Sequence, residues 1–125
     1  MRILIVAVGA AVLFSSSPAW SQQQTSKGTV LVDRHKMTLY TFDKDSDGKS
    51  ACNGTCAENW PPYTDQVESL KPSSAPGDWS AITRDDGKKM WAYKGKPVYF
   101  FKDDKAPGDV KGDGVNGVWH VVKIQ

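Results

Sequence analysis

The chain has 125 residues, enough for one domain with a modest core. Its formal net charge is +2, and it falls to about +1 once Arg2 is removed with the N-terminal segment. This balance argues against nucleic acid as a partner, which would require a basic stripe, and against a polybasic membrane-binding patch. We therefore expect the partner to be a protein or a small ligand.

The N-terminal segment, residues 1–21, has the features of a signal peptide. Arg2 precedes an uncharged apolar run, and Ala19 and Ser21 are the small residues that signal peptidase recognises. A helix that spans a membrane needs about 20 apolar residues, and this run is shorter, so no membrane span is expected in the mature chain. No lipobox cysteine follows the run. We predict a periplasmic or secreted protein that begins near Gln22, with a retained membrane anchor as the alternative.

The remaining sequence indicates short β-strands separated by turns. A disordered tail is predicted over residues 22–28, followed by a single β-rich domain over 29–125. No long helical periodicity occurs, so we predict an all-β fold of mostly antiparallel strands with one or two short helical turns. The predicted strands are 29–32, 37–42, 79–83, 90–93, 97–101 and 118–124. A helical turn is predicted at 57–59, and residues 63–78 are interpreted as a surface connection.

The sequence repeats itself at a spacing of 59 residues, the separation of Tyr40 and Tyr99. Both copies carry Tyr-x-Phe-x-x-Asp, followed after a loop of equal length by a tryptophan. The matched pairs are Gly28/Gly87, Tyr40/Tyr99, Phe42/Phe101, Asp45/Asp104 and Trp60/Trp119. Neither copy alone can bury its aromatic strand, so we predict that two repeats, about 28–63 and 87–122, share one core about a pseudo-twofold axis.

Further segments accompany these motifs, namely Cys52-Asn53-Gly54-Thr55-Cys56, Trp60-Pro61-Pro62 and Gly95-Lys96-Pro97-Val98-Tyr99. Together they resemble the bacterial secreted-repeat family, whose members are often described as predicted lipoproteins with a conserved Yx(FWY)xxD motif. The resemblance implies export and a duplicated domain, and it implies no particular reaction. The chain departs from the family in lacking the lipobox cysteine and in carrying Lys36 where the family usually has glycine, so the first hairpin turn is expected to differ.

The only two cysteines, Cys52 and Cys56, predict a disulfide, because an even count in an exported protein favours pairing. The spacing of 59 places Lys111 opposite Cys52, so only the first copy is cross-linked. A redox-active pair is the functional alternative, but C-x3-C lacks the C-x-x-C spacing of thioredoxin-like motifs. A metal site on these thiols would need two more ligands, and His35 and His120 are far apart in sequence.

Alternate aspartates precede Gly48 and have the spacing of the first half of a calcium loop, in which carboxylates converge on a hard cation. These candidate metal ligands are Asp43, Asp45 and Asp47. The glutamate expected at the twelfth position is replaced by Gly54, so this is not an EF-hand. The favoured interpretation is a solvated turn, with the aspartates bonded to local backbone amides. Calcium is the one cofactor that these residues suggest.

The aromatic set has two interpretations. The rings pack as core, or they line a partly open groove for a sugar, a flat cofactor or a peptide. The set comprises Tyr40, Phe42, Tyr99, Phe101, Trp60, Trp91 and Trp119. The motif aspartates, Asp45 and Asp104, are expected to accept backbone hydrogen bonds at the strand-to-loop corners.

The sequence has no Ser-His-Asp order, phosphate-binding glycine loop or H-E-x-x-H helix. We therefore predict an exported, non-enzymatic β module of uncharacterised function that binds a ligand or partner or serves a structural role. One alternative is a calcium-dependent structural protein that uses the Asp-rich loops. The other is a redox-active protein that uses Cys52 and Cys56.

Overall fold

A computed structural model describes residues 22–69 and 77–124, so the predicted signal peptide over 1–21 lies outside the described residues. The elements are β1 (Gln22–Thr25), β2 (Gly28–Leu31), β3 (Tyr40–Phe42), α1 (Thr55–Asn59), β4 (Trp79–Thr83), β5 (Lys89–Tyr93), β6 (Lys96–Pro97), a 3₁₀ turn (Val115–Gly117) and β7 (Trp119–Val121). Within these residues, β1 pairs with β2, β3 pairs with β7, and β4, β5 and β6 form a three-stranded sheet. All the pairings are antiparallel, so the predicted fold class is confirmed.

Strand β1 occupies part of the segment for which the sequence predicts a disordered tail, residues 22–28. It pairs with β2 so that Gln22 lies opposite Leu31 and Thr25 lies opposite Gly28. Gly28 has a φ of 94°, which glycine adopts without steric cost, and its carbonyl accepts a hydrogen bond from the Thr25 hydroxyl at 2.8 Å. The polar segment thus forms a strand that is held by backbone pairing and by a closed turn. Its low hydrophobicity gives no indication of this strand.

The predicted first hairpin is present, and its turn is built around Asp33. The Asp33 Oδ1 atom accepts hydrogen bonds from the backbone N–H groups of His35 (3.0 Å) and Met37 (2.9 Å). Lys36 has a φ of 67°, and its counterpart at a spacing of 59, Gly95, has a φ of 82°. The lysine therefore adopts the left-handed conformation that glycine favours, so the backbone at this position is kept while the side chain departs from the family.

The predicted strand over residues 97–101 is interrupted after its first residue. Pro97 ends β6, and Tyr99 instead forms isolated bridges to Tyr40 and to Pro62. The Val98 N–H still donates to the Trp91 carbonyl of β5 at 3.2 Å, and the chain then leaves this sheet and crosses to the first repeat.

Two groups of buried side chains make up the core. The first comprises Val30, Val32, Tyr40, Cys52, Trp60, Met90, Tyr99, Trp119 and Val121. The second comprises Leu31, Leu39, Tyr63, Val67, Trp79, Trp91 and Val98. The assignment of residues 63–78 to a surface connection is wrong at its start, since Tyr63 and Val67 are 1% and 5% exposed. Tyr63 accepts a backbone hydrogen bond from Trp91 and donates one to Val98, so it extends the first repeat into the second core group.

Candidate functional site

Two tyrosine–aspartate hydrogen bonds join the repeats crosswise. The Tyr40 hydroxyl donates to Asp104 Oδ2 at 2.5 Å, and the Tyr99 hydroxyl donates to Asp45 Oδ2 at 2.6 Å. Both tyrosines are fully buried, and their backbones exchange N–H···O bonds of 2.8 and 2.9 Å. The pseudo-twofold axis therefore passes between the two tyrosines, and each repeat supplies the acceptor for the other repeat's hydroxyl.

The second oxygen of each motif aspartate holds its own loop. Asp45 Oδ1 accepts the Ala51 N–H at 2.6 Å, and Asp104 Oδ1 accepts the Lys111 N–H at 3.0 Å. These are backbone bonds at the strand-to-loop corner, as expected from the motif. They make Ala51 the structural counterpart of Lys111, so within these loops the two repeats are out of step by one residue. The counterpart of Cys52 is therefore Gly112 rather than Lys111.

Gly112 lies directly against the tryptophan of the other repeat. A Cβ atom built at Gly112 would lie 2.8 Å from the Trp60 ring and 2.9 Å from the Tyr40 ring. The Gly112 N–H donates to the Tyr40 hydroxyl oxygen at 3.2 Å. Only glycine fits between these rings, whereas the equivalent position in the first repeat carries the buried Cys52 side chain. This position is the sharpest difference between two otherwise similar halves of the core.

Four rings stack in one column across the axis. The ring centroids are 4.3 Å apart for Phe101 and Trp60, 3.8 Å for Trp60 and Trp119, and 4.2 Å for Trp119 and Phe42. The tyrosine of each repeat meets its own tryptophan edge-on, at 5.4 and 5.3 Å. The tryptophans are only 5% and 3% exposed, so they are packed as core, and half-buried phenylalanines close the two ends of the column.

Backbone hydrogen bonds also cross from each repeat to the other. The N–H that follows each aromatic strand donates to the carbonyl that precedes the other repeat's tryptophan, from Asp43 to Val118 (2.8 Å) and from Lys102 to Asn59 (3.0 Å). Strands β3 and β7 pair over three residues each. The symmetry-related pairing, between the Tyr99 segment of repeat two and the segment after Trp60 in repeat one, is reduced to a single bridge between Tyr99 and Pro62. Pro61 and Pro62 have no N–H to donate, so the second ladder cannot continue.

Arg84 is a buried cation whose role the sequence does not indicate. Its side chain is 3% exposed, and its guanidinium donates to Ser50 Oγ (3.2 Å) and to the Cys52 carbonyl (2.6 Å). Ser50 Oγ in turn lies 2.5 Å from the Tyr99 hydroxyl oxygen, and Asp86 lies 3.9 Å from the guanidinium. The arginine thus links the end of β4 to the cysteine loop and to the Tyr99–Asp45 pair. An arginine next to an Asp-Asp-Gly turn looks like a surface residue, so no sequence signal marks it.

Burial raises the pKa of both motif aspartates. For Asp45 the main cause is desolvation, which the hydrogen bond from Tyr99 partly offsets. The pKa of Asp104 is raised for the same reason, and the hydrogen bond from Tyr40 opposes the rise. Burial also raises the pKa of both tyrosines, so each hydroxyl keeps its proton and acts as a donor. These groups hold the core together and are not arranged to release a proton.

The candidate metal ligands Asp43, Asp45 and Asp47 line one pocket of about 140 Å³, which here is called the corner pocket. Its other lining residues are Thr41, Phe42, Ser46, Lys96 and Pro97. Both oxygens of Asp45 already accept hydrogen bonds, and Asp43 Oδ2 lies 2.8 Å from His120 Nε2. In the described ranges, no three His, Cys, Asp or Glu side chains are arranged to hold a metal ion.

The cysteine loop is closed as the sequence predicts. Cys52 and Cys56 form a disulfide, and Cys52 is fully buried against the core. Helix α1 begins within this loop, after Gly54 at a φ of 59°. The histidines are engaged elsewhere in the molecule, His35 through its backbone in the Asp33 turn and His120 with Asp43.

The crossed contacts define a duplicated β domain in which each half completes the other. The family model Lipoprotein_15, described as a secreted repeat of unknown function, matches residues 22–64 and 80–123. The chain belongs to this family, and the two matched segments are called repeat one and repeat two below. Both begin earlier than the sequence predicted, and repeat one includes β1.

No curated protein and no solved structure matches this chain. Across residues 22–69 and 77–124, no helix is long and apolar enough to cross a membrane. The family is described as secreted, which agrees with the export expected from the sequence.

Proposed function

We propose that this chain is an exported, non-enzymatic module that binds a small ligand or a partner side chain in the corner pocket. The motif residues are occupied in the core, where the tyrosines and aspartates satisfy one another. A ligand or partner would therefore bind at a surface where the two repeats differ. The observation that carries the proposal is the corner pocket itself, to which repeat one contributes carboxylates and repeat two contributes Lys96.

The pocket lining has three carboxylates, Asp43, Asp45 and Asp47, against the single ammonium group of Lys96, and this net negative charge favours a ligand with a cationic group. Among the described residues, neither Asp47 nor Lys96 makes a hydrogen bond or an ion pair through its side chain. Asp47 is therefore available as an acceptor, with Asp43 beside it and the Phe42 ring as an apolar wall that also attracts cations. Asp45 is fully engaged by Ala51 and Tyr99, so it shapes the pocket and leaves the contact to its neighbours.

The test is an NMR titration of the labelled protein with n-butylammonium and, separately, with acetate. We expect butylammonium to move the amide signals of residues 43–48 and 95–96, and acetate to leave them in place. Asp47→Asn should weaken the response, while Asp85→Asn, in an exposed turn of repeat two, should leave it unchanged. Equal responses to both probes, or equal effects of the two variants, would refute the cationic specificity.

Calcium binding by Asp43, Asp45 and Asp47 is the second candidate, because all three residues line the corner pocket, and it would require their side chains to rearrange into a ligand group. Asp45 could ligate a cation only by giving up its hydrogen bonds to Ala51 or Tyr99. Any such site would be weak, about 10⁻⁴–10⁻³ M as in extracellular modules. Comparing melting curves in calcium and in magnesium at the same concentration separates this candidate from the first.

A further inference from the structure

We propose that a second copy of this chain is a binding partner through exchange of repeats, in which repeat one of each chain docks on repeat two of the other. The interface between the repeats is built from reciprocal contacts, like that of a twofold homodimer. Tyr40 meets Asp104 as Tyr99 meets Asp45, and the two tryptophans stack on the axis. Such an interface is equally satisfied within one chain or between two.

No covalent bond other than the connecting chain holds the repeats together. The disulfide lies entirely within repeat one, and the connection runs from residue 65 to residue 79. A closed monomer and an exchanged dimer therefore contain the same interfaces. The balance between them depends on protein concentration relative to the effective concentration that a short connection imposes, roughly millimolar. Exchange follows unfolding, because the interface must open before it can form between chains.

Gly112 restricts which repeats can pair. In a pair of two copies of repeat one, Trp60 would meet Cys52 at the position that Gly112 holds in repeat two. On the backbone that repeat two has at this position, a Cβ atom would approach the Trp60 ring to 2.8 Å, so a copy of repeat one would have to shift to accommodate the ring. Pairing of repeat one with repeat two is therefore favoured over pairing of repeat one with itself. Two chains that exchange repeats close on each other with two complete interfaces, and no repeat is left to recruit a third chain.

Two full-length variants, each damaged in a different repeat, test the exchange. Gly112→Val fills the space in repeat two against which the Trp60 ring packs, and Trp60→Ala removes that ring from repeat one. After joint unfolding and refolding, repeat one of the first variant and repeat two of the second form an undamaged interface. We expect native mass spectrometry to detect a mixed dimer with one copy of each variant, and its main melting transition to lie within a few degrees of that of the wild type.

The matched control mixes Trp60→Ala with Phe42→Ala, which are both in repeat one, so exchange cannot rebuild an undamaged interface. We expect no rescued transition from that pair. If either variant is unfolded alone, its recovery in the mixture reports exchange more clearly. The proposal is overturned if the first mixture melts as the sum of its two components without a mixed dimer, or if the control pair is rescued equally well.

Discussion

Replacing Tyr40 with phenylalanine should destabilise the protein more than the same change at Tyr99. The Tyr40 hydroxyl donates to Asp104, which is 8% exposed, and accepts the Gly112 N–H. Tyr40→Phe therefore removes a hydrogen bond to a charged group, worth about 1.5–3 kcal/mol, and leaves a buried N–H unpaired at about 1–3 kcal/mol. Because these terms overlap, we expect a total loss of about 3 kcal/mol.

The Tyr99 hydroxyl is placed differently. It donates to Asp45, which is partly exposed, and its other neighbour is the Ser50 hydroxyl, which keeps the Arg84 guanidinium as a partner. Tyr99→Phe leaves no backbone group without a partner, so we expect a loss of about 1.5 kcal/mol. For a domain of this size, 1 kcal/mol corresponds to roughly 4–8 °C in melting temperature, so the two variants should be clearly separated by thermal unfolding.

A double-mutant cycle identifies the pairing itself. Tyr40→Phe combined with Asp104→Asn should show a coupling energy in the range of about 0.5–3 kcal/mol, because the two side chains share a hydrogen bond. Tyr40→Phe combined with Asp45→Asn, the aspartate of the same repeat, should show a smaller coupling. Denaturant unfolding of the wild type, the three single variants and the two double variants provides the measurement. The crossed arrangement is refuted if coupling within a repeat equals or exceeds coupling between repeats.

Four further outcomes are expected. Asp104→Asn should be less stable than the wild type by an amount that is largest at acid pH and shrinks above about pH 3.9, as measured by urea unfolding from pH 3 to 7. The reason is that the pKa of Asp104 is raised in the folded state, so its contribution to wild-type stability is lost as the carboxyl ionises. A difference in stability that grows with pH contradicts this. Replacing both Cys52 and Cys56 with alanine should lower the free energy of unfolding by less than about 3 kcal/mol and preserve cooperative unfolding, which a denaturant titration checks; a non-cooperative variant would show that the loop is essential for folding. Several millimolar calcium should raise the melting temperature no more than matched magnesium, and a calcium-specific rise that Asp45→Asn abolishes would reverse this expectation. Intact mass of the exported protein should indicate a start near Gln22, and a membrane-bound form that retains Met1 would argue for an anchor.

Sequence patterns predicted the strands and the duplication because both depend on features that recur along the chain. The strand predicted over Trp79–Thr83 is present as β4, and the matched tyrosines, aspartates and tryptophans located the repeats. The cysteine count predicted the disulfide, because pairing in an exported protein depends on number and compartment.

The crossing of the repeats was not predictable in the same way. A linear motif shows that Tyr40 and Asp45 belong together in sequence, but it does not show that Tyr40 bonds to Asp104. Gly112 was hidden for a related reason, since the one-residue shift between the loops is visible only when the aspartate bonds to Ala51 and Lys111 are compared.

The crossed core also has a consequence for the order of events when the chain folds. The bonds that complete the two tyrosine–aspartate pairs join residues separated by 64 and 54 positions in sequence. Contacts so distant along the chain are made only after a large loop has closed, which slows folding compared with a protein of local contacts. Repeat one is synthesised first and lacks the acceptor for Tyr40 until repeat two follows. Its aromatic strand therefore stays exposed in the nascent chain, and this interval is when a chaperone or another nascent chain can bind it.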